Sequence, residues 1–224
     1  AGIPKPGHKL CKYFTKVLKN HVFRYTHYAA HTDAMVFSEA LDINLDGNMD
    51  VLDVSLPAQQ DKAVVDRLLQ QVGLAIDAPY ILLTPFAGLE QRNWPVDEAS
   101  KFVQMAEREL QLPVVVSGPA NKAAEAAQIS KYNLTGQTTT LQLIDLVQRA
   151  KCLVTPDSGP MHIAGAVKTP VAALFSKDLP SRWAPRTNCV PITLSVPCAP
   201  CDDATARKCL TVQCMKGIKA NIVM

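Results

Sequence analysis

No apolar run in this 224-residue chain approaches the roughly 20 residues that a membrane-spanning helix needs, so no helical membrane span is expected. The opening Ala1-Gly2-Ile3-Pro4-Lys5 has neither an initiating Met nor the apolar stretch of a secretory signal, so the chain is expected to be processed or part of a longer one. Charge is sparse, at 19% of residues, while apolar residues make up 48%. That balance excludes disorder as the main state and supports a substantial core. Acid is absent from the first 32 residues, which hold Lys5, Lys9, Lys12, Lys16, Lys19 and Arg24. The remaining 192 residues carry 17 basic against 20 acidic side chains, so the net charge of +3 comes from one basic end on a near-neutral body. Tyr13, Phe14, Phe23, Tyr25 and Tyr28 lie among those cations. The combination suits an anionic surface (phosphorylated lipid, nucleic acid or acidic glycan) or a solvated basic face.

What is present is a change of pattern along the chain. Residues 31–41 can form a short helix, and residues 42–56 are rich in Asp and Asn, as a linker would be. Asp46, Asn48 and Asp50 imitate the start of a calcium loop, but Val51 and Pro57 stand where Gly and Glu are required, so that site is excluded. A helix is predicted over 58–72, with Val64, Val65, Leu68, Leu69 and Val72 on one face and Gly73 as its stop. From Pro79 onward short apolar runs alternate with amphipathic segments. Strands are predicted over 80–84, 113–117, 133–135, 152–155 and 171–175. Helices are predicted over 95–110, 122–130, 140–150 and 160–167, the third introduced by a Thr139/Gln142 capping box. Continuous apolar strands alternating with helices imply an α/β fold, a Rossmann-like doubly wound parallel sheet, with ligands at the carboxyl ends of the strands.

Two segments leave such strand ends. In Thr155-Pro156-Asp157-Ser158-Gly159-Pro160-Met161-His162 a strand turns directly into a helix. Pro160 suits the first turn, Ser158 or Gly159 the N-cap, and the free N–H groups there attract an anion, most naturally a phosphate. His162 can donate to a phosphate oxygen, whereas ionised Asp157 would repel one and is better suited to sugar hydroxyls. The alternative is ordinary helix capping by Asp and Ser with a packed His. The second segment is Thr84-Pro85-Phe86-Ala87-Gly88 followed by Arg92-Asn93-Trp94-Pro95. Arg92, just before a helix, can pair bidentately with a diphosphate or simply face solvent. Trp94 fits a packing role better than a stacking one.

Taken together, these residues resemble glycosyltransferase family nine, the heptosyltransferases of lipopolysaccharide core synthesis. The likeness runs in order through Pro85, Ala87, Arg92 to Pro95, Gly118-Pro119, Leu134-Thr135-Gly136, Leu141, Leu146, Ala150 and the block Leu153 to Ala166. It continues through Thr169-Pro170-Val171, Leu174-Phe175, Asp178, Pro180, Arg182 to Pro185 and Cys214-Met215. It is close over about residues 80–218 and looser over 1–45.

The resemblance implies a GT-B arrangement of two facing Rossmann-like domains. Residues 1–45 would then be a remnant of the N-terminal acceptor domain, 46–78 a linker and connecting helix, and 79–224 the nucleotide-sugar-binding domain. It implies inverting, metal-independent transfer of a sugar, typically from ADP-heptose, to a lipid A–Kdo-type glycolipid. No cofactor is implied, nor any nucleic-acid partner. The implied location is cytoplasmic, peripheral at the inner membrane, where the basic start would meet phosphorylated lipid. By position, Asp157 would contact the sugar; Ser158, Gly159 and His162 would contact the diphosphate, with Thr84 and Pro85 nearby. Ser158 replaces a commoner Thr, Arg92 a commoner Lys, and Ala120-Asn121 stand where a nucleotide-holding Glu is frequent. The family's catalytic base lies in a Gly-Asp loop after an apolar strand. None precedes residue 80, so the base is expected outside this sequence, and the chain is expected to end short of the family's closing helix. Alternatives are a nucleotide-sugar epimerase or hydrolase of the same fold and a noncatalytic nucleotide-sugar-binding module.

Cys198, Cys201, Cys209 and Cys214 fall within seventeen residues with the spacing C-x2-C-x7-C-x4-C. In a reducing compartment this favours zinc over disulfides, but the gaps are irregular and the implied chemistry needs no metal. Reduced thiols in a loop are the preferred reading and a structural zinc site the alternative.

Overall fold

A computed structural model of the chain describes residues 28–31, 34, 38 and 54–224. The basic N-terminal segment, the helix expected over 31–41 and the linker expected over 42–56 therefore lie largely outside the described residues. Ala29 to His31, Ala34 and Ser38 are helical, and the first element described throughout, α1 (Gln59–Gln71), buries Val65 and Leu69. Gly73 ends it at φ +83°, with Gly73 N–H bonded to Gln70 O and Leu74 N–H to Leu69 O, both at 2.9 Å. This is the Schellman arrangement, and only glycine takes that backbone conformation without strain.

Five strands follow: β1 (Ile81–Leu83), β2 (Val114–Val116), β3 (Cys152–Pro156), β4 (Val171–Phe175) and β5 (Cys189–Thr193). All pair in parallel in the order β2-β1-β3-β4-β5. Asn133 adds an isolated parallel bridge to Val116 on the outer side of β2. The strand expected at 133–135 is reduced to that bridge, because Gly136 turns the chain immediately at φ +78°. With the bridge included, the spatial order is that of a Rossmann fold, and the order reverses between β1 and β3. The expected doubly wound parallel sheet is thus observed.

The helices are α2 (Val96–Met105), α3 (Ala123–Ala127), α4 (Thr140–Arg149), α5 (Gly159–Val167), α6 (Pro180–Trp183), α7 (Asp203–Arg207), α8 (Gln213–Lys216) and α9 (Ala220–Val223). Two boundaries differ from the sequence reading. The helix expected to Leu110 widens into a π-type turn over Ala106–Leu110. The helix expected from Lys122 begins as a 3-10 turn over Ala120–Lys122 and ends at Ala127. The capping box is made as expected: Thr139 Oγ1 accepts from Gln142 N–H at 3.3 Å, and Gln142 Oε1 from Thr139 N–H at 2.9 Å. β5, α6 and the short helices from α7 on were not marked by the apolar pattern.

Alternate strand residues face two cores, as a pleated sheet covered on both sides requires. Leu82, Val115, Leu153, Ala173 and Phe175 pack with Val65, Leu146, Val147 and Met161 from α1, α4 and α5. Ile81, Leu83, Val114, Val116 and Leu174 pack with Phe102, Val103, Trp94, Ala126 and Met215 on the other face. No helix among the described residues is long and apolar enough to cross a membrane.

Candidate functional site

The reversal of strand order leaves a crevice over the carboxyl ends of β1, β2 and β3. A cleft of about 360 Å³ occupies it, lined by Thr84, Phe86, Gly88, Ser117, Gly118, Pro119, Thr138 to Thr140, Leu143 and Ser158 to Pro160. A larger cavity of about 650 Å³ lies around Asp66 of α1 and Tyr80, Arg149 and Lys151, next to the amino ends of β1 and β3. The smaller cleft is the candidate site, because ligands of open α/β sheets bind at the carboxyl ends.

Its floor is the start of α5. Ser158 is the N-cap, but its side chain accepts no bond from the first turn. Instead Ser158 Oγ donates to Pro156 O at 3.1 Å and meets Thr155 Oγ1 at 3.1 Å, while Thr84 Oγ1 bonds Thr155 Oγ1 at 2.7 Å. The capping alternative is therefore not what the structure makes of Ser158. The first turn of α5 has no side-chain cap at its positive end. A Cβ built at Gly159 meets no atom within 4 Å, so this glycine is not demanded by packing and leaves space above the helix terminus. At Gly118, by contrast, a Cβ would lie 2.9 Å from the Phe86 ring.

Of the residues singled out in the sequence, Thr84, Ser158 and Gly159 line the cleft directly. Pro85 shapes its rim: Pro85 O accepts Trp94 N–H at 2.9 Å, and Asn93 Oδ1 accepts Ala87 N–H at 2.7 Å, folding the β1–α2 loop back on itself. Trp94 is a packing residue, 1% exposed, with Nε1–H bonded to Ile218 O at 2.8 Å. His162 is half-buried in α5, and burial pushes its imidazole pKa below the ordinary 6.5. It is thus mostly neutral at pH 7 and donates from one nitrogen only.

Arg92 and Asp157 belong to a charge cluster beside the cleft. Arg92 Nη2 lies 2.6 Å from Asp178 Oδ2, and Nη1 lies 3.6 Å from Asp157 Oδ2 and 3.3 Å from Asp157 O. Lys177, only 6% exposed, reaches Asp178 Oδ1 at 3.0 Å, Asp203 Oδ1 at 2.8 Å and Cys201 O at 3.5 Å. Arg92 is therefore not the solvent-facing cation of the simpler reading, and it is not free either. Its buried Nε has no hydrogen-bond partner among the described residues. Burial, with Asp178 close by, pushes the Asp157 carboxyl up to about 6, although Arg92 and Lys177 pull it down. The sequence reading missed Lys177 and Asp203 and gave Asp178 no role. Pattern reading had no signal for them, because their partners are distant in sequence.

The cysteine loop gathers no metal site: among the described residues no three His, Cys, Asp or Glu side chains are placed to hold an ion. Cys198, Cys201, Cys209 and Cys214 are free thiols. Burial raises the pKa values of Cys201 and Cys214, while backbone N–H bonds from Val212 and others lower that of Cys209.

A parallel Rossmann-order sheet with a cleft at its switch point places the chain in the class of doubly wound α/β domains, whose ligands sit at the carboxyl ends of the strands. The sequence pattern of glycosyltransferase family 9 (heptosyltransferase) matches residues 11–210, and the chain belongs to that family. Among curated relatives, it is 27% identical to the lipopolysaccharide core heptosyltransferase OpsX of Haemophilus influenzae over 48% of this chain and 33% of that protein. It is 30% identical to lipopolysaccharide heptosyltransferase 3 of Escherichia coli over 51% of this chain and 36% of that one. These alignments span about a third of the curated relatives' length. Among solved structures, a family 9 glycosyl transferase from Veillonella parvula superposes with a TM-score of 0.74 at 19% identity, covering 96% of this chain and 62% of that one. The E. coli ADP-heptose lipopolysaccharide heptosyltransferase II gives 0.61 at 23% identity, covering 82% and 54%. At these identities the superpositions speak for the fold.

Proposed function

We propose that residues 79–224 are the donor half of a glycosyltransferase that moves a sugar, a heptose, from an ADP-linked donor to a lipopolysaccharide-core acceptor. Residues 46–78 are then the connecting segment and 1–45 part of the acceptor half. The observation that carries this reading is the uncapped start of α5, with open space at Gly159, facing a cleft at the switch point in a chain of family 9. The naming of curated relatives as heptosyltransferases supports the sugar and the acceptor class.

The chemistry follows from charge. As the glycosidic bond to the diphosphate breaks, the leaving group gains negative charge. The N–H groups of the first turn of α5, the guanidinium of Arg92 and an N–H of His162 are the groups suited to meet it. Fixed dipoles and a cation of this kind lower a barrier without reorganising during the reaction. Asp157 is suited to the sugar side, and Thr84 and Ser158 add hydroxyls beside the phosphates. We read the transfer as inverting, metal-independent attack by an acceptor hydroxyl whose base is contributed from the acceptor half. The basic N-terminal residues support a phosphorylated glycolipid, of lipid A–Kdo type, met at the inner membrane surface.

Titration calorimetry of the chain with ADP, UDP and GDP tests the donor assignment. Binding of ADP in the micromolar to millimolar range, ahead of UDP and GDP, is the expected outcome. A folded sample that gives no heat with any of the three would remove the assignment.

A further inference from the structure

We infer that Asp157 and Asp178 form an acid pair that takes up a proton onto Asp157 when a sugar-nucleotide diphosphate enters the cleft. The inference rests on the donor reading of that cleft and adds a proton to it.

The two carboxyls share one guanidinium but not equally. Asp178 has a cation on each oxygen: Arg92 Nη2 at 2.6 Å on Oδ2 and Lys177 Nζ at 3.0 Å on Oδ1. Asp157 has only the more distant Nη1, at 3.6 Å, although it is 6% exposed. Lys177 is further divided between Asp178 and Asp203, 2.8 Å away. Asp203 also feels Arg207, so among the three carboxylates Asp157 is the least compensated. The Asp157 and Asp178 carboxyls meet at the same guanidinium, and the negative Asp178 disfavours the charged form of Asp157. The groups facing Asp157 are Arg92 from the β1–α2 loop and Lys177 and Asp178 from the end of β4. His162 lies in α5, the helix that follows Asp157, and burial pushes that imidazole pKa down.

Asp157 directly precedes Ser158 and Gly159, which line the cleft. A diphosphate seated on the start of α5 brings further negative charge to the cluster. The charged form of Asp157 is then disfavoured, and a proton moves from solvent to its carboxylate, forming one O–H bond and no other. Protonated Asp157 no longer repels the ligand and can donate a hydrogen bond. Its Arg92 contact weakens, leaving the guanidinium to Asp178 and the diphosphate. The like-charge conflict that would keep Asp157 away from phosphate is thereby removed.

The test uses ADP-glucose, a diphosphate diester that does not itself titrate near neutral pH, and calorimetry of the full chain in buffers of differing ionisation enthalpy. At pH 7 the heat is expected to vary with buffer and to report uptake of about half a proton. Affinity is expected to be about five- to twentyfold weaker at pH 8 than at pH 6, given an unliganded pKa of about 6 for Asp157. Asp157→Asn should bind with buffer-independent heat and a flat pH profile. Asp178→Asn should lower the uptake, because it removes the negative neighbour and frees Arg92 to pair with Asp157. His162→Gln should leave the uptake in place. Buffer-independent heat in the unaltered protein overturns the proposal, as does uptake that survives Asp157→Asn and disappears in His162→Gln. If Asp157→Asn fails to fold, an uptake unaltered in Asp178→Asn overturns it equally. Absence of any binding by ADP or ADP-glucose overturns the donor reading itself, and the proposal falls with it.

Discussion

Replacing Asp157 by Asn should stabilise the protein at alkaline pH while impairing its function. Asp157 is 6% exposed, and burial together with the neighbouring Asp178 raises its pKa from 3.8 to about 6 against the pull of Arg92. A carboxyl whose folded-state pKa is raised favours folding when protonated. Its contribution is complete below the unfolded value of 3.8 and is lost as the pH climbs through the folded value of about 6. That shift corresponds to about 3 kcal/mol lost between acid and pH 8. Asn keeps the shape and neutrality of the protonated acid at every pH, and the variant should therefore exceed the parent by about 1–3 kcal/mol at pH 8. In a chain of this size that is roughly 3–10 °C in Tm. Near pH 4 the two proteins should melt within about 2 °C of each other. Thermal melts at pH 4, 6, 7 and 8, with urea titrations at the two extremes, measure the difference. Should Asp157→Asn melt lower than the parent at pH 8, the reasoning is refuted, and the carboxylate's contact with Arg92 outweighs its burial. Turnover, measured in a full-length relative, should fall by about thirtyfold to a thousandfold if the oriented carboxyl contacts the sugar. Removal of a poorly compensated charge from a functional cleft commonly trades activity for stability in this way.

Three further outcomes are expected. Arg92→Ala should weaken ADP binding by roughly ten- to a hundredfold and adenosine binding hardly at all, since a charge-assisted contact is worth about 1.5–3 kcal/mol; equal losses by calorimetry would reduce Arg92 to a support of its loop. Gly159→Ala, whose new methyl meets no protein atom within 4 Å, should leave Tm unchanged within about 2 °C yet weaken ADP binding at least about tenfold, and unaltered affinity would place the ligand elsewhere. Tyr80→Phe, which removes the buried Oη–H bond to Leu146 O at 2.7 Å next to the amino end of β1, should cost about 1 kcal/mol in urea denaturation and leave ADP affinity untouched.

The sequence by itself determined the elements whose signals are local. Thr139 and Gln142 are three residues apart, so their reciprocal capping is written in four letters, and Gly73 marks the end of α1 because a left-handed backbone is cheap only there. The runs at 81–83, 114–116, 152–154 and 171–175 are apolar without interruption because both faces of a parallel sheet are covered. The turn from Thr155 to Pro160 was legible for the same reason: strand, N-cap and first helical turn are contiguous. β5 was not legible. Cys189-Val190-Pro191-Ile192-Thr193 contains a proline, and Val190 is 65% exposed, so neither composition nor alternation marks a strand. It is one because β4 offers it an edge, with Val171 opposite Cys189 and Phe175 opposite Thr193, and an edge tolerates proline. The partners of Arg92 were equally hidden. Asp157 and Asp178 lie 65 and 86 residues away from it in sequence. Only the strand order, which sets β1 beside β3 and β3 beside β4, brings their carboxyl ends together. Sequence placed a cation and an acid near a phosphate-seeking turn; tertiary structure decided that they neutralise each other incompletely. Electrostatic compensation depends on distance in space and on burial, and neither is a property of neighbouring letters.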